Sequence, residues 1–123
     1  MAAVAAALSL WSAAPAAAAG DDDRSERAVH GTCSGSSTAR LRLRAEDGRI
    51  RIELRLDARP RSGSWQVVLL HERRLVSRTA VRAASGGGRI ELRWTVADWT
   101  GTDTIVLRAT GPRNEACRAS ATV

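Results

Sequence analysis

Apolar and charged residues alternate along much of the chain. Single arginines separate the apolar residues of 39–45, and the same period of two returns at 50–56. A period of two puts every apolar side chain on one face of a strand, whereas a helix would scatter them around its circumference. The pattern therefore predicts β-strands. Segments with glycine or proline interrupt it at 46–48, 58–64, 85–88 and 111–114.

The alternation continues beyond the first two strands, so that seven strands are expected in all. The later five lie at 65–70, 75–80, 90–96, 104–109 and 117–123. The third strand is partly apolar on both faces, which is typical of a central strand, and the fourth is irregular and carries arginine, which favours an edge. Seven strands in about ninety residues predict an all-β fold, a seven-stranded antiparallel Greek-key sandwich. In that arrangement strands one, two and five form the first sheet, and three, four, six and seven form the second.

The chain begins with a segment that predicts export. Residues 1–19 are uncharged, consist mostly of alanine and end in Ala17-Ala18-Ala19, which fits a signal peptide cleaved after Ala19. A retained membrane anchor needs roughly 20 strongly apolar residues, and alanine, serine and proline weaken this one. Residues 20–30 are charged and lack periodicity, so we expect a disordered spacer there and a folded domain at 31–123. The mature protein is expected to be secreted, with no membrane span.

Cys33 and Cys117 are the two cysteines of the chain, and they bracket the predicted domain. In an exported protein an even pair without metal-type spacing predicts a disulfide. Closing a loop of this length stabilises the fold by roughly 4 to 5 kcal/mol in the chain-entropy model.

The charge of the chain is carried by arginine. The net charge is +6, and all 19 basic residues are arginine. With the alanine excess, this composition indicates a GC-rich coding bias, so the abundance of arginine is weak evidence for bidentate recognition. A basic domain is nevertheless attracted to acidic polymers and surfaces.

Several features give the chain a resemblance to immunoglobulin-like or fibronectin type III-like domains. They are Trp65 at the start of the third strand, the 98–103 corner (DWTGTD) before the sixth, and Cys117 early in the seventh. The element Cys33-Ser34-Gly35-Ser36 with a closing cysteine also resembles small secreted actinobacterial proteins of unknown function. Antibody-type domains bridge the second and sixth strands, which here contain no cysteine. The resemblance implies a sandwich fold and no particular activity.

Catalytic and metal-binding constellations are not predicted. His30 falls in the spacer and His71 at a hairpin, where it is expected to be a solvated turn residue. Its neighbour Glu72 would point to the opposite face of a strand. Glu53 and Glu91 lie among arginines and are explained by cross-strand charge pairing. No metal-ligand spacing occurs, so we expect a protein that is not an enzyme and needs no cofactor.

The tryptophans of the domain have two expected roles. Trp65 and Trp94 share the parity of the apolar positions and are predicted core residues. Trp99, in the 98–103 corner, either plugs the end of the sandwich or lies exposed as a stacking platform for a sugar ring.

The outer face of the first sheet is predicted to be rich in arginine, and we call it the arginine face. It is either a solvated surface or a site for an anionic polymer such as teichoic acid, acidic glycan or DNA. No base-reading motif accompanies it. The candidate anion-binding residues are Arg40, Arg42, Arg44, Arg51, Arg55 and Arg93.

The outer face of the second sheet is predicted to expose an apolar patch. Val68, Leu70 and Val106 share outward parity, and Leu75 should pair with Leu70 across a hairpin. Single exposed apolar residues are ordinary, but a contiguous set marks an interface. The resemblance implies partner contacts on this sheet. The expected function is a secreted, non-catalytic binding or protein-interaction module at the cell envelope, a monomer or weak dimer, with anionic-polymer binding as the alternative.

Overall fold

Two antiparallel sheets enclose one hydrophobic core in the computed structural model, which describes residues 25–59, 62–83 and 87–123. The first sheet has the order β1-β3-β4-β7 and the second the order β2-β9-β8-β5-β6. None of the described helices is long and apolar enough to cross a membrane. The strands are β1 Ser25–His30, β2 Thr32–Cys33, β3 Thr38–Glu46, β4 Arg49–Asp57, β5 Ser64–His71, β6 Arg74–Arg82, β7 Arg89–Ala97, β8 Thr104–Thr110 and β9 Ala116–Thr122, with a 3-10 helix at Pro112–Asn114.

The seven predicted strands correspond to β3 to β9, and their division between the sheets is confirmed. Strand β5 lies inside the second sheet and β6 at its edge, as predicted. The predicted count of seven is wrong, because β1 and β2 add a strand to each sheet. The predicted signal peptide and parts of the connectors at 58–64 and 85–88 lie outside the described residues.

The prediction of a disordered spacer is wrong for Ser25–His30. This segment forms β1 and pairs antiparallel with β3 along its whole length. Only Val29 of β1 packs against the core, while Glu26 on its outer side is hydrogen-bonded to Arg42. The strand is held by the backbone ladder with β3, a non-local interaction that leaves no apolar period in the local sequence.

The core consists of the inward-facing residues of both sheets. Leu41, Leu43, Ile50 and Ile52 from the first sheet and Trp65 from the second are all almost fully buried. Trp65 is thus a core residue as predicted, whereas Trp94 is half-buried and packs against the core from the edge strand β7. Burying large apolar side chains provides the main stabilisation of such a domain, about 1.5 to 3 kcal/mol for each.

The predicted disulfide joins Cys33 in β2 to Cys117 in β9, which are direct partners in the ladder. Beyond it, Glu115 is buried and accepts hydrogen bonds from the Ser37 hydroxyl at 2.6 Å and the Ser37 amide at 3.1 Å. A Cβ atom at Gly35 would meet the carboxylate of Glu115, so a side chain there would have to displace that carboxylate from its contacts with Ser37. The segment after Cys33 is therefore fixed by a covalent bond and a buried polar contact.

Candidate functional site

His71 is the last residue of β5 and its side chain is buried, with 2% of its surface exposed. The prediction that it is a solvated turn residue is wrong. It shares the inward parity of Trp65, Val67 and Leu69, and it still pairs with Arg74 in the ladder. The turn itself contains only Glu72 and Arg73, both with positive φ.

Asp103 is the buried partner of His71. Its Oδ1 lies 2.6 Å from Nε2 of His71 and accepts the amide N–H of Trp99 at 3.2 Å. Burial raises the pKa of Asp103, but hydrogen bonds with His71, Asp98 and the Trp99 amide lower it, and the net pKa shift is downward. Asp103 is therefore ionised at neutral pH, and the proton of the contact is carried by Nε2 of His71.

Trp99 covers this pair at the end of the sandwich. Its ring stacks on the His71 ring with centroids 3.9 Å apart, and the Arg74 guanidinium lies 5.6 Å from its centroid. Trp99 still exposes 41% of its surface. Because His71 occupies one ring face, a sugar ring would have only the other face to stack on. Trp99 thus covers the end of the sandwich while part of its side chain stays exposed to solvent.

The His71 and Asp103 pair is a structural contact in this fold. It orders the corner at 98–103, because Asp103 at the end of the corner is bonded to His71 and also accepts the amide N–H of Trp99 near its start. A general base must reach the proton it abstracts, and a 2%-exposed ring with Nε2 bonded to Asp103 does not present that atom to solvent. In the described part of the chain no three His, Cys, Asp or Glu residues are grouped to hold a metal ion.

The arginine face of the first sheet is formed as predicted in position. Cross-strand register places Arg40 beside Arg55, Arg44 beside Arg51, and Arg42 and Arg93 on either side of Glu53. The six candidate residues are therefore neighbours. A shallow depression of about 170 Å³ lies among them, lined by Arg40, Arg42, Arg55 and Arg93 together with Glu53 and Glu91.

Carboxylates compensate much of the charge on the arginine face. Arg42 pairs with Glu26, and this contact lowers the pKa of Glu26 through a hydrogen bond and the guanidinium charge. Exposed pairs of this kind add little to stability, but they reduce the positive potential available to a ligand. The other pairs are Arg44 with Glu46, Arg55 and Arg89 with Asp57, and Arg93 with Glu53.

The apolar patch of the second sheet is contiguous. Leu70 lies between Leu75 on β6 and Val106 on β8, which confirms the predicted pairing with Leu75. Leu75 exposes 56% of its surface, while Val68, Leu70 and Val106 are half-buried. A register shift opposite Leu69 and Leu70 leaves Val76 unpaired on the edge strand, 42% exposed. The patch therefore reaches the free edge of the sheet.

A second group of arginines lies directly beside the apolar patch. Arg118, Arg108 and Arg78 occupy neighbouring strands with Val68 between the last two, and we call these three arginines the arginine row. All three are exposed, and within residues 25–59, 62–83 and 87–123 none of them makes an ion pair. The local sequence pattern predicts Arg78 at an edge but does not reveal the row, because its members are adjacent only through the register of four strands.

Three features of the structure are therefore candidates for function: the His71 and Asp103 cluster, the arginine face, and the apolar patch with its arginine row. Only the last two are open to a macromolecular ligand. Comparisons of the chain with protein-family models, with curated proteins and with solved structures found no match, so the proposals below depend on the geometry of the chain itself.

Proposed function

We propose that this chain is an exported, non-catalytic immunoglobulin-like domain that binds a protein partner at the cell envelope. The proposed contact surface is the outer face of the second sheet. The observation that carries this proposal is the contiguous apolar patch of Val68, Leu70, Leu75 and Val106 next to the free edge of β6. Contiguous exposed apolar surface rimmed by polar residues is typical of protein interfaces.

The strand order supports the immunoglobulin-like, Greek-key part of the proposal. Strands β3, β4 and β7 are neighbours in one sheet, and β9, β8, β5 and β6 are neighbours in the other. The hairpins β3–β4, β5–β6 and β8–β9 each stay within one sheet, and the chain crosses between the sheets after β4, β6 and β7, as in such domains, with Trp65 in the core. The architecture alone implies no ligand, so the binding function depends on the surface.

The disulfide and the character of residues 1–19 support export. We expect the exported protein to begin at Gly20 and to weigh two hydrogens less than its reduced form. Intact mass spectrometry of protein recovered from the medium or the envelope measures both quantities. A retained Met1, or two free thiols, would contradict this part of the proposal.

The binding function is tested by capturing partners from a cell-envelope extract on the immobilised mature protein. The double substitution Leu70→Ser with Leu75→Ser should abolish capture of a partner that the wild type retains, because it removes the apolar contact. A matched pair on the opposite sheet, Arg40→Ser with Arg51→Ser, should leave capture unchanged. Retention that is equal for the wild type and the apolar-patch variant would show that the patch is not the binding surface.

Anionic-polymer binding on the arginine face is the second candidate. Arg40 and Arg51 favour it, because among the described residues neither makes an ion pair. A duplex bound there should lose affinity with salt, with a log-log slope of about −0.9 per phosphate contacted. Reversing Arg42 and Arg51 to glutamate should remove most of this binding, and unchanged affinity would exclude the arginine face.

A further inference from the structure

The two sheets differ in how their positive charge is compensated. Strands β1, β3 and β4 of the first sheet contain the acids that pair with its arginines, namely Glu26, Glu46, Glu53 and Asp57. The five strands of the second sheet contain no aspartate or glutamate. The β5–β6 turn beside this sheet contains Glu72, whose Oε1 accepts the amide N–H of Thr104 at 2.5 Å.

The outer face of the second sheet includes two adjacent rows of side chains that cross the strands. One is the arginine row, with Val68 between Arg108 and Arg78, and the next contains Val106, Leu70 and Leu75 beside Ser120. Residues two apart on a strand are about 6.6 Å apart, and neighbouring strands are about 4.8 Å apart. A ligand that covers both rows would thus meet a line of guanidinium groups and, next to it, a line of apolar side chains.

The surface between these rows is concave. A depression of about 550 Å³ has Leu70 and Val106 in its lining together with Arg73, Arg108 and Arg118. Glu72 is the one acid of this lining, so the lining has three arginines and one carboxylate. Thr104 and Ser120 add hydroxyl groups at its margin. The same depression therefore offers apolar contact and unpaired positive charge.

We propose that the partner of this face is an acidic, amphipathic polypeptide segment. Its carboxylates contact the arginine row and its apolar side chains contact the apolar patch. This inference rests on the proposed binding function and adds the chemistry of the partner. Arginine is suited to the role, because its planar guanidinium binds carboxylates through two parallel hydrogen bonds.

Two other occupants fit the surface less well. A second copy of the chain, related by twofold symmetry, would bring the same face to both sides, and the strands of that face contain no carboxylate to pair with the arginine row. A purely ionic polymer such as nucleic acid would satisfy the arginines but leave Leu70, Leu75 and Val106 without an apolar partner. Only a segment with both kinds of side chain makes use of both rows.

The inference is tested with synthetic peptides rather than with the natural partner. The probe is a helical peptide with a stripe of leucine beside a stripe of glutamate, and the comparison peptide has alanine in place of each leucine. Binding of each labelled peptide to the mature protein is followed by fluorescence anisotropy at physiological salt. We expect the leucine peptide to bind about tenfold more tightly than the alanine peptide, because only it contacts the apolar row.

Three variants separate the contributions of the rows. Arg108→Gln with Arg118→Gln should lower the affinity for both peptides by about tenfold, because it removes contacts with their carboxylates. Leu70→Ser with Leu75→Ser should remove the difference in affinity between the two peptides and leave the affinity for the alanine peptide unchanged. Arg42→Gln with Arg51→Gln lowers the net charge equally but lies on the other sheet, and it should change neither affinity. Circular dichroism of each variant checks that the fold is retained.

The opposite results are equally clear. If the Arg42 and Arg51 variant weakens binding as much as the Arg108 and Arg118 variant, only net charge is sensed and the inference is wrong. It is also wrong if neither peptide binds, if both bind equally, or if duplex DNA or phosphatidylglycerol vesicles bind this face more tightly than the leucine peptide. The wild type could fail to bind either peptide and still capture a partner from envelope extract that the Leu70 and Leu75 variant does not capture. That result would support the proposed function and reject only the acidic, amphipathic partner.

Discussion

Nε2 of His71 lies 2.6 Å from Oδ1 of Asp103, and both side chains are buried between the end of β5 and the start of β8. The contact connects strand and corner, because the same oxygen accepts the amide N–H of Trp99 and the His71 ring supports the Trp99 ring. The conformation of the 98–103 corner therefore depends on two side chains that are far apart in sequence.

Removing the Asp103 carboxylate should destabilise the protein. Asp103→Asn leaves a buried histidine and the Trp99 amide without their charged acceptor, which should lower the free energy of unfolding by about 3 kcal/mol. Denaturant unfolding followed by tryptophan fluorescence measures the change. Asp47→Asn, at an exposed turn position with positive φ, is the matched control and should change stability by less than about 0.5 kcal/mol. Equal effects of the two substitutions would show that the buried pair contributes nothing.

Stability should depend on pH through Asp103. Because the pKa of Asp103 is lowered in the folded state, its stabilisation is present above the unfolded pKa of about 4 and is lost as the pH falls through the folded pKa. Unfolding free energies measured between about pH 7 and pH 2 should therefore decrease at the acid end. Asp103→Asn should flatten that part of the profile, and an unchanged slope in the variant would contradict the assignment.

Asp98 should contribute with the opposite sign. The pKa of Asp98 is raised, chiefly by a hydrogen bond with Asp103 and further by slight desolvation and the Asp103 charge. A raised carboxyl pKa stabilises the fold at low pH, and this stabilisation is lost as the pH rises through the folded pKa. Asp98→Asn should thus make the protein more stable at neutral pH, with the gain disappearing in acid. A constant difference at all pH values would show that the effect is not ionisation.

The Cys33 to Cys117 disulfide should contribute strongly to stability. It closes a loop with a sequence separation of 84, and its loss should lower the free energy of unfolding by about 4 kcal/mol in the chain-entropy model. The double variant Cys33→Ser with Cys117→Ser, which leaves no free thiol, is compared with the wild type by thermal unfolding. Since most of the core is formed by other apolar residues of the two sheets, the variant should keep its β-type circular dichroism. Equal melting temperatures would rule out a stabilising role.

The β5–β6 turn stores strain that glycine should relieve. Arg73 has φ of 66°, a left-handed conformation that costs a residue with a side chain about 1 kcal/mol. Glycine avoids this cost but loses more conformational entropy on folding, so Arg73→Gly should raise the free energy of unfolding by roughly 0.5 kcal/mol. Gly48 has φ of 73° in the β3–β4 turn, so Gly48→Ala should have the opposite effect. Denaturant unfolding compares the two. A loss of stability in Arg73→Gly would show that the turn needs the arginine side chain.

Local sequence pattern was sufficient for much of the fold. The strict alternation at 39–45 and 50–56 predicted β3 and β4, and the Asp47-Gly48 turn between them has the positive φ values that this dipeptide favours. The period of two also indicates that His71 and Asp103 face the core. His71 continues the inward positions of β5, and Asp103 precedes Ile105 and Leu107 at the same spacing, so both were predictable as core-facing.

The sequence by itself determined that β3 to β9 are strands and which of their positions point inward, because a period of two is a local property of the extended chain. Only the tertiary structure decided which side chains face one another. Register across β1, β3, β4 and β7 placed carboxylates beside the arginines of the first sheet, and register across β9, β8, β5 and β6 placed none beside the arginine row. Strand pairing joins residues that are distant in the chain, so the charge of each face was determined by contacts that no local pattern encodes.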